Sequence, residues 1–259
     1  MSHHIVEAKG LAYIYPDGTK ALKNISFLIR HGESVALVGA NGAGKSTLLM
    51  HLNGYLLPDS GSLRVGDFPL TKDTIHNIRR SVGMIFQDSD DQLFMPTVYD
   101  DVAFGPLNMD LPADLVDERV RSTLETVGML HLINRPTHRL SGGEKRSVAI
   151  ATVLSMSPDI LVMDEPTSNL DPKARKQLIE LLKSFEHTKI IATHDLDMVL
   201  DLCERTIIIK EGEIAADGKS ADILSNEKLL LESGLERPLR LQGCPFLDEN
   251  IICPKHGGN

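Results

Sequence analysis

Short, almost wholly apolar runs recur along the chain, each bounded by glycine or charge: Ser34–Gly39, Val82–Phe86, Asp159–Met163 and Lys189–Thr193. Such runs, without period-two alternation, predict strands buried on both faces of a parallel sheet. Between them the pattern turns helical, and helices are expected over Lys45–Asn53, Pro172–Glu186 and Asp195–Cys203. Alternating strands and helices predict an α/β layered domain. Ile5–Arg30 reads as antiparallel strands about a turn at Pro16-Asp17-Gly18. Between Gln87 and Asp159 the pattern changes. Leu111–Leu132 reads as one amphipathic helix, and Gly142–Met156 as another, opening after Ser141-Gly142-Gly143. This stretch predicts a helical insert in the α/β core. From about Ser220 the chain is helical and charged, then ends in a tail containing Pro, Cys and Gly.

Length and composition add limits. With 259 residues, 42% apolar and 24% charged, one globular domain with an insert or tail is expected. A formal charge of −9 argues against nucleic-acid binding by bulk electrostatics. Trp is absent, and 4 Tyr and 7 Phe leave little for base stacking. No apolar run approaches the roughly 18 residues that span a bilayer. The opening Met1-Ser-His-His-Ile-Val-Glu lacks a signal-peptide pattern, so a cytoplasmic protein is expected, with any membrane role supplied by a partner. Cys203, Cys244 and Cys253 form no disulfide framework.

Gly39-Ala-Asn-Gly-Ala-Gly-Lys45-Ser46-Thr47 fits the P-loop spacing, with an apolar strand before it and a helix after it. Gly39, Gly42 and Gly44 let the backbone curl so that successive N–H groups face one phosphate. The helix opening at Lys45 adds its positive end. Lys45 is expected on the β- and γ-phosphates and Ser46 on Mg²⁺. Asp159-Ile-Leu-Val-Met-Asp164-Glu165 is an apolar strand ending in two acids, at the end of the sheet where ligands bind. Asp164 is expected to hold Mg²⁺, and Glu165 to polarise the attacking water as general base.

These residues, with Leu140-Ser-Gly-Gly-Glu144 and Asp164-Glu165-Pro-Thr-Ser-Asn-Leu-Asp171 in the same order, resemble the ATP-binding cassette ATPases over about residues 5–235. The resemblance implies a RecA-like P-loop core with an antiparallel β subdomain and an α-helical insert over about 88–158. Residues 236–259 remain a tail of unknown role. It also implies that Gln87 is the Q-loop glutamine and an Mg²⁺ ligand, and that His194 is the switch histidine on the γ-phosphate. ATP with Mg²⁺ would be held by Tyr15, stacked on adenine, and by Gly39, Asn41, Gly42, Ala43, Gly44, Lys45, Ser46 and Thr47. Tyr13, the neighbouring aromatic, is expected to point away from that platform. Ser141, Gly142, Gly143 and Glu144 would complete the γ-phosphate site of a second copy, in a head-to-tail dimer whose interface Asp171 crosses. Read alone, the turn is rather an ordinary helix cap with Ser141 as its N-cap. Two positions depart from the family pattern: Ser147, where Arg is common, and Asn169, where Ala or Gly is usual.

Phe86-Gln-Asp-Ser-Asp-Asp-Gln-Leu-Phe94 and Pro96-Thr-Val-Tyr-Asp-Asp-Val-Ala-Phe-Gly-Pro106 resemble the ATPase subunits of energy-coupling factor importers, as do Tyr15-Pro-Asp-Gly18 and His51-Leu-Asn-Gly54. That resemblance implies partners: a second ATPase subunit, identical or paralogous, a transmembrane coupling subunit and a substrate-binding membrane subunit. The protein would sit on the cytoplasmic face of the membrane. Leu93, Phe94, Met95 and Val98 are the candidates for a helix-docking groove. Cys244, Cys253 and His256, and His3-His4, carry donors that suit transition metals. They tilt the solute toward cobalt or nickel, although eight residues between the cysteines is unlike a zinc knuckle. Vitamin uptake and a soluble regulatory ATPase are the alternatives.

Overall fold

The computed structural model describes residues 6–242. The readings placed on His3-His4 and on Cys244, Cys253 and His256 lie outside the described residues. Strands β1 (Val6–Ile14) and β2 (Lys20–Ile29) pair antiparallel about the expected turn, where the Gly18 N–H donates to Tyr15 O at 2.8 Å. Strand β3 (Ser34–Val38) runs into helix α1 (Lys45–Leu52). Next come β4 (Ser60–Val65), β5 (Phe68–Pro69), α2 (Ile75–Ser81) and β6 (Val82–Ile85). Helices α3 (Val98–Asn108), α4 (Ala113–Thr126) and α5 (Gly142–Leu154) follow. The chain returns through β7 (Ile160–Asp164), α6 (Pro172–Ser184), β8 (Thr188–Ala192), α7 (Leu196–Leu202), β9 (Arg205–Lys210) and β10 (Glu213–Lys219). Helices α8 (Ser220–Ser225) and α9 (Glu227–Glu232) close it.

Two sheets result. One is antiparallel, in the order β2-β1-β4-β5; the other runs β10-β9-β3-β8-β7-β6. In the second, β9, β3, β8, β7 and β6 are parallel and β10 is an antiparallel edge. Alternation along β3 explains how one strand serves two cores. Val35 and Leu37 pack with α1 and the antiparallel sheet, while Ala36 and Val38 pack toward α6, α7 and α8. Both faces are covered, so the strand reads as an unbroken apolar run.

The helices between β6 and β7 have a core of their own, built from Val98, Val102, Val116, Val120, Leu124 and Val148. The expected single helix over Leu111–Leu132 is shorter. It starts after Pro112 and stops at Thr126, because Gly128 turns the chain at φ 73° into a 3₁₀ turn at Leu130–Leu132. Helix α3 carries Pro106 inside it and lies where the sequence reading placed no helix. Val98 is fully buried in this core, which removes it from the expected docking groove.

Candidate functional site

The P-loop joins the C-terminal end of β3 to α1 and owes its shape to close backbone contacts. A Cβ at Gly39 would lie 2.2 Å from the Ile209 carbonyl oxygen, and one at Gly44 would lie 2.6 Å from that of Ala21. Gly44 also holds φ 108°, which side chains disfavour. As N-cap residue it offers no side chain, so the first N–H groups of α1 stay available to an anion. The Lys45 ammonium is buried and donates to Gly39 O at 2.7 Å and Ala40 O at 3.2 Å. Burial lowers its pKa, against the pull of Glu165 and Asp164.

Strand β7 ends on Asp164, and Glu165 follows at φ 46°, an uncommon left-handed conformation for a side-chain-bearing residue. Both acids are buried. Desolvation raises the Asp164 pKa, opposed by a hydrogen bond with Ser46 and reinforced by the Glu165 charge. Three groups converge on Glu165 Oε2: the Thr193 hydroxyl at 3.0 Å, the His194 N–H at 3.3 Å and His194 Nδ1 at 2.9 Å. His194 itself is largely exposed, with 72% of its side chain open. The loop behind it is fixed by Asp195, which accepts two bonds from Arg175 at 2.7 and 2.9 Å and one from Thr167 at 3.1 Å. Burial alone would raise the Asp195 pKa, but Arg175 and the other donors hold it below the usual range.

The sequence reading did not single out Arg146, one turn into α5. Its guanidinium is buried and donates only to backbone carbonyls: Pro166 O and Glu165 O at 2.9 Å, Asp164 O at 3.4 Å, Gln87 O at 3.3 Å and Phe86 O at 2.5 Å. Desolvation brings its pKa down to about 10. One side chain therefore joins the loop after β6 to the loop after β7. Nothing in the structure explains Ser147 in the neighbouring position. Asn169 holds φ 59°, a conformation Asn tolerates better than most residues, so its place in that turn is sterically reasonable.

Tyr15, Gly39 through Thr47, Gln87, Asp164, Glu165 and His194 line a single cavity of 880 Å³. The Tyr15 hydroxyl is 3.0 Å from the Thr47 hydroxyl, so the aromatic is tied to the P-loop helix. Tyr13 does not point away. Residues two apart on a strand share a face, and its ring meets Tyr15 edge-on at 5.0 Å and His51 at 4.9 Å. His51 is buried, with Nδ1 2.7 Å from Thr47 O, and burial lowers its pKa.

Ser141, Gly142, Gly143, Glu144 and Asp171 are not among the lining of that cavity. Gly142 borders an adjoining cleft shared with Ser46, Gln87 and Asp164. Ser141 and Glu144 form a capping box, with Ser141 N–H to Glu144 Oε2 at 2.6 Å and Glu144 N–H to Ser141 Oγ at 3.4 Å. Asp171 caps α6 by accepting from the Lys173 and Ala174 N–H groups at 2.8 and 2.9 Å.

A phosphate cradle, a buried lysine and two acids at a strand end define a P-loop nucleotide hydrolase. The ABC transporter family model matches residues 22–168, and the chain belongs to that family. It is 66% identical over 245 residues to a protein of Geobacter sulfurreducens that carries the provisional name ABC transporter ATP-binding protein, covering 95% of this chain and 98% of the relative. It is 45% identical over 239 residues to the energy-coupling factor transporter ATP-binding protein EcfA of Methanothermobacter thermautotrophicus, covering 90% of this chain and 77% of EcfA. Among solved structures, CbiO1 of Clostridium perfringens, part of the ABC transporter complex CbiONQ, superposes with a TM-score of 0.79 at 41% identity, covering 90% of this chain and 94% of CbiO1. The cassette MJ0796, in a dimer bound to ADP and phosphate, superposes at 0.76 with 29% identity, covering 83% of this chain and 98% of its own. The protein is thus an ABC ATPase, the ATP-binding subunit of a transporter, which takes ATP with Mg²⁺.

Proposed function

We propose that this chain hydrolyses ATP as one half of a head-to-tail dimer and drives an energy-coupling factor importer for a transition metal ion, cobalt or nickel. The observation that carries the hydrolytic part is the convergence of Lys45, Ser46, Asp164, Glu165 and His194 on one cavity. Ser46, Asp164 and Gln87 offer a hydroxyl, a carboxylate and an amide around one cleft. Such hard oxygen donors suit Mg²⁺, and the buried Asp164 carboxylate, with its raised pKa, is better satisfied by a cation than by solvent. That ion, when bound, neutralises phosphate charge. The remaining work falls to the chain. The P-loop N–H groups and Lys45 hold the phosphates. Tyr15 stacks on the base, and His194 bonds the γ-phosphate. With three contacts on Glu165 Oε2, Oε1 is the oxygen left to take the proton of the attacking water. The Ser141–Glu144 turn and Asp171 serve the partner's nucleotide.

Docking on a membrane partner is supported by an apolar patch that Val98 does not join. Phe94 is 64% exposed and meets Phe104, 42% exposed, edge-on at 4.9 Å; Leu107 adds a third open side chain at 56%. Asp101 fixes the patch by accepting the Phe94 and Met95 N–H groups, both at 3.1 Å. Likeness to EcfA and CbiO1 supports the energy-coupling factor type. The donors of the tail sequence, Cys244, Cys253 and His256, support a metal over a vitamin. Among the described residues no helix is long and apolar enough to cross a membrane, as a peripheral subunit requires. The test is capture of the full chain from detergent-solubilised native membranes, with mass spectrometry of what co-purifies. A multi-spanning coupling subunit, lost on Phe94→Asp, is expected. Capture of soluble partners alone would refute the transport role, and a vitamin-binding membrane subunit would refute the metal.

A further inference from the structure

The last described segment of the chain also lines the nucleotide cavity. Leu235, Arg237, Leu239 and Gln242 share its wall with Ala40, His194 and Asp197. Gly234 sets this wall against the P-loop, since a Cβ there would lie 3.5 Å from that of Ala40. The segment is latched to α7. Asp197, three residues past His194, accepts the Leu239 N–H at 2.9 Å and the Arg240 N–H at 3.1 Å. Arg240 Nε donates to Asp197 Oδ1 at 3.0 Å, and its two Nη groups meet Asp201 at 3.0 and 2.9 Å. Nη2 also reaches the Asp197 carbonyl at 3.1 Å. A lone exposed ion pair contributes little. Here one arginine, with the main chain around it, engages two carboxylates and a carbonyl in fixed, two-pronged geometry.

We propose that Arg240 is a positioning residue for hydrolysis: it latches residues 235–242 onto α7, so that the cavity wall beside Ala40 and the loop carrying His194 move as one body. The latch acts through the loop that carries His194, the γ-phosphate contact, and so separates ATP from ADP. The inference rests on the reading that His194 contacts the γ-phosphate.

The test uses the full chain as wild type, Arg240→Ala and Arg240→Lys, with hydrogen exchange of residues 235–242 and steady-state hydrolysis measured side by side. In Arg240→Ala, exchange of the segment is expected to rise. The preference for ATP over ADP and the kcat should each fall about three- to tenfold, with ADP affinity unchanged. Arg240→Lys should recover part of the loss. Faster exchange with wild-type kcat and nucleotide preference would overturn the proposal, as would unchanged exchange, because Arg240 would then latch nothing. Undiminished hydrolysis in His194→Ala is a different failure, which removes the γ-phosphate role of His194 itself.

Discussion

Two glycine-rich turns open helices in this molecule, and they differ in what requires the glycines. In the P-loop the requirement is internal: side chains at Gly39 or Gly44 would collide with the chain's own carbonyls at 2.2 and 2.6 Å. In the Ser141 turn, a Cβ on Gly142 would meet nothing within 4 Å among the described residues, and one on Gly143 would reach only Ala174 Cβ at 3.8 Å. The first turn leaves its helix uncapped, with donors free for phosphate; the second spends donors on a capping box. One is a finished site. In the other, nothing among the described residues requires the glycines, which is what the proposed role toward a second copy predicts.

The largest expected effect lies in hydrolysis itself. Glu165→Gln should cut phosphate release by about 10²–10⁴-fold, the usual worth of a general base. It should also bind ATP and accumulate as a dimer in light scattering; wild-type turnover would remove Glu165 from its role. The glycines divide the two turns directly. Gly44→Ala should lose ATP binding and destabilise the fold by roughly 1–3 kcal/mol through its strained φ and overlap. Gly142→Ala should keep or raise thermal stability, a compatible Gly→Ala change being worth about 0.4–1 kcal/mol. It should nevertheless abolish the ATP-dependent dimer in a Glu165→Gln background. If Gly142→Ala dimerises normally, the outward requirement does not exist.

A smaller effect concerns charge at the finished site. The folded-state pKa of Asp164 is raised, so burial favours its protonated form, and that contribution is lost as pH climbs from 3.8 through the folded value. At neutral pH the ionised carboxylate therefore costs stability. Asp164→Asn should raise the melting temperature of the nucleotide-free protein at pH 7 by a few degrees, about 2–4 °C per kcal/mol at this size. The gain should vanish below pH 3.8, and the variant should lose stabilisation by Mg²⁺-ATP. A lowered melting temperature at pH 7 would contradict this assignment of cost. The smallest effect is Tyr15→Ala, expected to weaken ATP binding about fivefold through loss of one aromatic contact. Equal affinities by titration calorimetry would place the base elsewhere.

Glu165, the P-loop and the buried strands are all legible in the sequence. The buried strands showed as unbroken apolar runs, and the phosphate cradle as glycine spacing between a strand and a helix, because both are local patterns. What escaped depends on partners distant in the chain. Arg146 gave no signal because its acceptors are backbone carbonyls some 18 to 60 residues away. The latch at Arg240 joins α7 across about 40 residues. Helix α3 was obscured by Pro96 and by Pro106 within it, residues that usually mark loops. Tyr13 lies two residues from Tyr15 and so shares its face, which is why their rings meet.

The anchoring of Arg146 on main-chain oxygens has a consequence for the side chains around it. A guanidinium that pairs with carboxylates ties its own fate to theirs, since a change in either demands a change in the other. One that grips only carbonyls takes its geometry from the path of the chain and leaves the side chains on that path free to bond elsewhere. The side chains of Phe86, Gln87, Asp164, Glu165 and Pro166 make none of these hydrogen bonds, although the Asp164 and Glu165 charges help keep the buried guanidinium protonated. The carboxylates and the amide are thus left to face metal, phosphate and water, while a side chain from another helix fixes the path of the main chain beneath them.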